Sequence, residues 1–222
     1  MGHLSRILSV GVLSGALIVV SGCGEESAEQ VLEAPSSKVR DVVASGVLEG
    51  GTYINPALGL QMRIPDGWKV LDGDILNDAA ELGGEIAGDE EELEVDIGQT
   101  MLLATSKFPM DETVEFNPNL NISVMDGIAE DPRLNSGIEL ARLEKEYVDE
   151  GGMPGYVVGE IHAEDIGGRS FGVLVFDKTA FASHQKKYVT VIDGFVLLAV
   201  LTYSTDNELA ELDAIVATMS FD

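Results

Sequence analysis

The chain has 222 residues, of which 45% are hydrophobic and 23% charged, with one cysteine and a formal net charge of −26. So acidic a surface repels phosphate backbones and anionic headgroups, which excludes nucleic acid and makes the domain itself no lipid-headgroup binder. One cysteine excludes an intrachain disulfide framework, and a chain of this size can bury a core without staples.

After Arg6 comes an uncharged, largely apolar run, ILSVGVLSGALIVV, from Ile7 to Val20. At about 1.5 Å per residue it is too short to cross a roughly 30 Å hydrocarbon core comfortably, and it has the shape of a signal-peptide h-region. It runs into Val20-Ser21-Gly22-Cys23, which resembles the lipobox of bacterial lipoproteins: a branched apolar residue, two small residues and a cysteine. The resemblance implies that residues 1–22 are removed as a signal peptide and that Cys23 is the lipidation site, carrying acyl groups such as palmitate on its thiol and its new amino group. Two or more acyl chains anchor a protein stably where one does so marginally. Gly24 stands where an Asp would resemble an inner-membrane retention signal. The implied location is the cell envelope: the outer membrane where the organism has one, with the domain facing the periplasm or exterior.

Residues 23–45 are polar, acidic and rich in small side chains, and read as a tether with at most a frayed helical turn. Loss of Arg6 with the leader takes the net charge from −26 to −27, since no acidic residue precedes Cys23. Residues 46–222 suit one domain, expected to be monomeric.

Within that domain, Tyr53 and Ile54 are predicted to form a short strand, followed by a turn at Asn55, Pro56 and Gly59. Leu60–Ile64 alternates apolar and polar as a half-buried strand does. Pro65, Asp66 and Gly67 make a turn, and Trp68, the only tryptophan, opens the next extended piece. Its predicted role is packing at the point where strand meets core, not ligand stacking. Ile75, Ala79, Leu82 and Ile86 share one face of a predicted helix, weakened by Gly83 and Gly84. An acidic run, Gly88–Asp96, follows. Gln99–Phe108 and Asn119–Met125 read as strands.

A second helix is predicted with Asp131 as N-cap, Pro132 at the first helical position and Gly151 or Gly152 at its end. Its apolar face comprises Leu134, Ile138, Ala141 and Val148, widened by Leu140, Leu143 and Tyr147. Gly155–Ile161 and Ser170–Phe176 flank a turn at Gly167-Gly168, and two apolar strands flank Asp193-Gly194, a strong hairpin signal. Thr205 and Glu208 form a capping box for a last helix that turns Leu209, Leu212, Val216 and Met219 inward. Hairpin-linked strands with three helices between blocks give an α+β fold: an antiparallel β-sheet flanked by about three α-helices.

The pattern Y-x-N-P-x-L-G-L, then P-D-G-W, then the hairpin YVTVIDGFVL and a helix after TYSTDN, is similar to PsbP-like domains. That family includes an extrinsic protein of photosystem II and many bacterial lipoproteins. The resemblance spans Thr52 to Asp222 and is strongest at both ends. It implies an α/β/α sandwich used as a binding or assembly module, with no cofactor and no enzymatic activity. A photosynthetic role does not carry over, because the tether has no counterpart of the segment that docks relatives on the photosystem.

Three patterns bear on chemistry. Gly168–Gly172 matches the G-x-S-x-G of serine hydrolases, with Asp177 and His184 following in the order of a Ser170, Asp177, His184 triad. That mechanism needs the serine on a strained strand-to-helix turn, whereas Ser170 here leads into a β-pattern. Asp72, Asp74 and the Gly88–Asp96 run offer oxygen ligands for calcium or magnesium, without the glycine-centred loop of an EF-hand. His162 and His184 are the only histidines after Cys23, so a structural zinc set is absent. The function these features imply is that of a lipid-anchored envelope protein, a non-catalytic module that binds an unidentified envelope protein or component. A divalent-cation accessory protein and a hydrolase using Ser170 are the alternatives.

Overall fold

The computed structural model describes residues 37–72, 99–109, 113–127, 135–153, 155–178 and 183–222. In chain order these hold α1 (Ser37–Ala44), β1 (Val47–Glu49), β2 (Thr52–Asn55), β3 (Leu60–Arg63), β4 (Lys69–Asp72), β5 (Thr100–Ser106) and β6 (Asn119–Asp126). They continue with α2 (Gly137–Asp149), β7 (Tyr156–Val158), β8 (His162–Ile166), β9 (Arg169–Lys178), β10 (His184–Ile192), β11 (Phe195–Tyr203), α3 (Asp206–Val216) and β12 (Ser220–Phe221). Cys23, the predicted helix around Ile75–Ile86 and the acidic run Gly88–Asp96 lie outside the described residues.

The expected antiparallel sheet is present. Its strands run β4-β5-β6-β11-β10-β9-β7, and β8 pairs with the first half of β9. Hairpin chemistry sets the centre: Asp193 and Gly194 both take positive φ, at 51° and 88°, the mirror-image turn whose twist matches its flanking strands. β10 and β11 then pair without a break from Ile192↔Phe195 to His184↔Tyr203. A second sheet, β1-β2-β3-β12, was not predicted. Its outer members are the three-residue β1 and the two-residue β12, too short for a periodic signal to register.

Buried apolar residues fall into two clusters on opposite faces of the large sheet. The larger joins the small sheet, α1 and α3 to the sheet through residues such as Leu60, Met62, Ile122, Phe171, Leu197 and Leu212. The smaller lies under α2, where Leu140, Ala141 and Val148 meet Leu174, Phe176, Val189 and Leu198. The result is an α+β sandwich with its long strands buried on both sides, which explains why β11 reads as a continuous apolar run.

The Tyr53–Trp68 stretch builds this frame. Asn55 is fully buried. Its amide nitrogen donates to the Val42 carbonyl at 2.9 Å and to the Tyr53 hydroxyl oxygen at 3.3 Å. Its oxygen accepts from Leu58 N–H at 3.2 Å and from the Ser45 hydroxyl at 2.9 Å. One side chain thus closes the turn after β2 and fastens the end of α1, whose Val39 and Val42 are buried in the larger cluster. The expected tether therefore ends in a helix packed on the domain. Gly59, at φ 60°, sits beside the last residue: a Cβ there would lie 2.5 Å from the Asp222 carbonyl oxygen. Trp68 is half-buried and packs against the larger cluster, in line with a packing role.

Helix α2 differs from its predicted form. Ser136, in extended conformation, is the N-cap and accepts from Glu139 N–H, so the helix starts at Gly137; Asp131, Pro132 and Leu134 lie outside the described residues. Glycine is required at that first position, because a Cβ on Gly137 would collide with the carbonyl oxygen of Val189 and stand 2.7 Å from the backbone nitrogen of Gly172. The buried stripe is Gly137, Leu140, Ala141, Glu144 and Val148. A carboxylate occupies the face on which Leu143 and Tyr147 were expected, and those two residues are half-buried at its margins. The far end follows the prediction, with Gly151 at φ 88°. Helix α3 has the predicted capping box.

Candidate functional site

Strand alternation distributes the chemistry. Along β10, His184, Lys186 and Tyr188 turn to the α3 side, while Gln185 and Lys187 turn to the α2 side. A strand buried on both faces cannot send consecutive lysines to water, so each must find a partner within the fold.

Lys186 finds two. Its ammonium lies 3.2 Å from both carboxylate oxygens of Asp213 on α3 and 3.5 Å from Glu164 on β8, above the Tyr188 ring with 4.8 Å to the centroid. The Tyr188 hydroxyl donates to Asp213 at 2.8 Å. Burial, the Asp213 hydrogen bond and the neighbouring carboxylate charges all push that phenol above its ordinary pKa. Glu164 shares a face with His162 two residues earlier, whose Nε2 stands 2.9 Å from its carboxylate. Burial raises the Glu164 carboxyl, but the His162 hydrogen bond and the Lys186 charge outweigh it and hold the group below its ordinary value.

Next to this network, at the ends of β9, β10 and β11, Asp177, His184 and Tyr203 stand in one cross-strand row. His184 Nδ1 is 2.6 Å from Asp177 Oδ1, and the imidazole stacks on the Tyr203 ring with centroids 5.5 Å apart and planes at 24°. Burial first, then the charges of Asp177, Asp213 and Asp206, raise the Tyr203 phenol. The side chains of His184 and Asp177 are 45% and 59% exposed, so these two face solvent while Tyr203 is buried.

Two members of the sequence-predicted triad are therefore together and the third is not. Ser170 lies seven residues before Asp177 on the same strand, about 23 Å away at the usual rise, and an odd separation puts it on the opposite face. It sits inside β9, opposite Asp165 of β8, and not on a strand-to-helix turn. Asp72 ends β4. Among the described residues no group of three or more His, Cys, Asp or Glu side chains is placed to hold a metal ion.

On the α2 side, Lys187 meets Glu144 as a buried ion pair, with side chains 2% and 6% exposed and the ammonium 5.2 Å from the Phe176 ring centroid. Sequence reasoning missed this pair. The signal was available in Lys186-Lys187, two adjacent lysines inside a central strand.

No protein-family model matches the sequence, and no curated protein sequence matches it. Among solved structures, the chain is similar to the cyanobacterial PsbP protein CyanoP from Synechocystis sp. PCC 6803: 13% identity, 90% of this chain, 98% of that one, TM-score 0.47. It is also similar to a Bacteroides thetaiotaomicron protein, with 11% identity over 80% of this chain and 48% of that one, TM-score 0.40. A third is LpqN of Mycobacterium tuberculosis, involved in cell envelope biogenesis, with 16% identity over 72% and 82% of the two chains and a TM-score of 0.35. At these identities and TM-scores the likenesses describe an outline, and any functional reading rests on the chain's own residues.

Proposed function

We propose that the protein is a lipid-anchored envelope protein, held to the membrane through acyl groups on Cys23, whose PsbP-like domain is a non-catalytic binding or assembly module for an envelope protein or component. The sequence Val20-Ser21-Gly22-Cys23 after an apolar leader supports the anchor. The observation that carries the binding reading is the Asp177–His184 pair, exposed at the strand ends over the buried Tyr203 ring and without the serine needed for the hydrolase alternative. Beside it the partly exposed carboxylates of Glu164 and Asp213 hold Lys186, so the face offered to a partner is acidic and carries the exposed imidazoles of His162 and His184.

Crosslinking in intact cells, followed by purification of the protein from solubilised envelopes, tests this. A partner recovered in stoichiometric yield, and lost in Asp177→Ala and His184→Ala variants that fold normally, is the expected result. Recovery of the same partner with both variants would move the interface elsewhere, and no stoichiometric partner would overturn the binding reading.

A further inference from the structure

We propose that α2 is a displaceable cover, seated on the large sheet by the Lys187–Glu144 ion pair and able to lift away while the rest of the domain stays folded.

The sheet does not need α2 for its integrity. Strands β9, β10, β11 and β6 pair with one another in unbroken registers, and their other face is covered by the larger cluster with α1, α3 and the small sheet. Removing α2 uncovers the smaller cluster alone. The helix also keeps its own ends: Ser136 accepts from Glu139 N–H at one, and the backbone of Glu150 and Gly151 turns back on Glu146 and Val148 at the other. At its first turn α2 meets the sheet backbone to backbone, Gly137 against Gly172 and Val189, with no side chain interlocked between them.

The ion pair decides how α2 leaves. Two charges buried beside Phe176 and in register with Leu174 have lost their water, a cost that the mutual attraction of buried ions commonly does little more than offset; an apolar pair of similar volume is often the more stable arrangement. On separation both ions regain hydration, whereas an apolar pair would lose burial and gain nothing. The pair therefore fixes where α2 sits and lowers the free energy needed to lift it. Lifting exposes an apolar strip, Leu174, Phe176, Val189 and Leu198, centred on one lysine.

Hydrogen exchange followed by mass spectrometry on the purified full chain tests the proposal. In the wild type, amides of 137–149 should exchange at least about tenfold faster than those of β10 and β11, as a separately opening unit. In the double variant Glu144→Leu/Lys187→Met, α2 exchange should slow by about tenfold or more while β10 and β11 are unchanged. Gly137→Ala, which pushes the helix off the sheet without touching the pair, should speed α2 exchange alone. A common exchange rate for α2 and β10 in the wild type would overturn the proposal without recourse to any variant. So would a folded double variant whose α2 exchanges as in the wild type.

Discussion

Glu144 of α2 and Lys187 of β10 form an ion pair inside an otherwise apolar cluster, their side chains 6% and 2% exposed. Removing one member leaves the other charged and without water. Glu144→Ala should therefore lower the unfolding free energy by about 3–5 kcal/mol, with Lys187→Ala similar. Urea denaturation of each single variant checks this, and a loss under about 1 kcal/mol would mean that water reaches the site.

Burial raises the Glu144 carboxyl above its ordinary value of 4.5, and the Lys187 charge and hydrogen bond offset part of that rise. The folded protein thus binds this proton more readily than the unfolded chain. The stability contributed by protonation is complete below the unfolded value and is lost as pH rises through the folded one. Relative to Glu144→Gln, which cannot titrate, the wild type should lose stability as pH rises from the ordinary carboxyl value toward neutrality. Denaturation midpoints of the two proteins across that window make the comparison, and a relative gain by the wild type with rising pH would reverse the sign.

Asn55 makes four hydrogen bonds while fully buried. Asn55→Ala removes these four bonds at roughly 0.5–1.5 kcal/mol each, while the Val42 carbonyl keeps Ser45 and the Leu58 N–H keeps the backbone carbonyl of residue 55 as partners. A total loss of about 3 kcal/mol is expected, with increased proteolysis at α1. Asn55→Asp should not rescue it, since a carboxylate cannot donate to Val42. Thermal unfolding and limited proteolysis report both effects.

Ser170 faces away from His184, so a fluorophosphonate probe should leave it unlabelled in the purified protein, as in the Ser170→Ala control. Stoichiometric labelling of Ser170 would restore the hydrolase alternative.

The legible parts of this chain were those where local chemistry decides structure. Asp193-Gly194 fixed a hairpin, Thr205 and Glu208 capped α3, and the Asn55–Gly59 turn with Trp68 marked where the domain takes shape. The illegible parts depend on what comes to rest against a residue. β8 reads His-Ala-Glu-Asp-Ile, whose polar outer positions suit a sheet edge but show no apolar alternation. The start of α2 at Gly137 was not legible because it is set by the close passage of β9 and β10, which the local sequence does not record. Asp177 and His184 could be seen to be near one another in sequence; that Tyr203 stacks on His184 follows from a register two strands wide.

Everything proposed for the protein's setting depends on Cys23. Fractionation of cells expressing the wild type and Cys23→Ala, with mass analysis of the mature N-terminal peptide, tests it most directly. The expected result is a wild-type chain that begins at a diacylated or triacylated Cys23 and sediments with membranes, and a variant released from them. A Cys23→Ala protein still in the membrane fraction, or a wild-type Cys23 free of lipid, would contradict it.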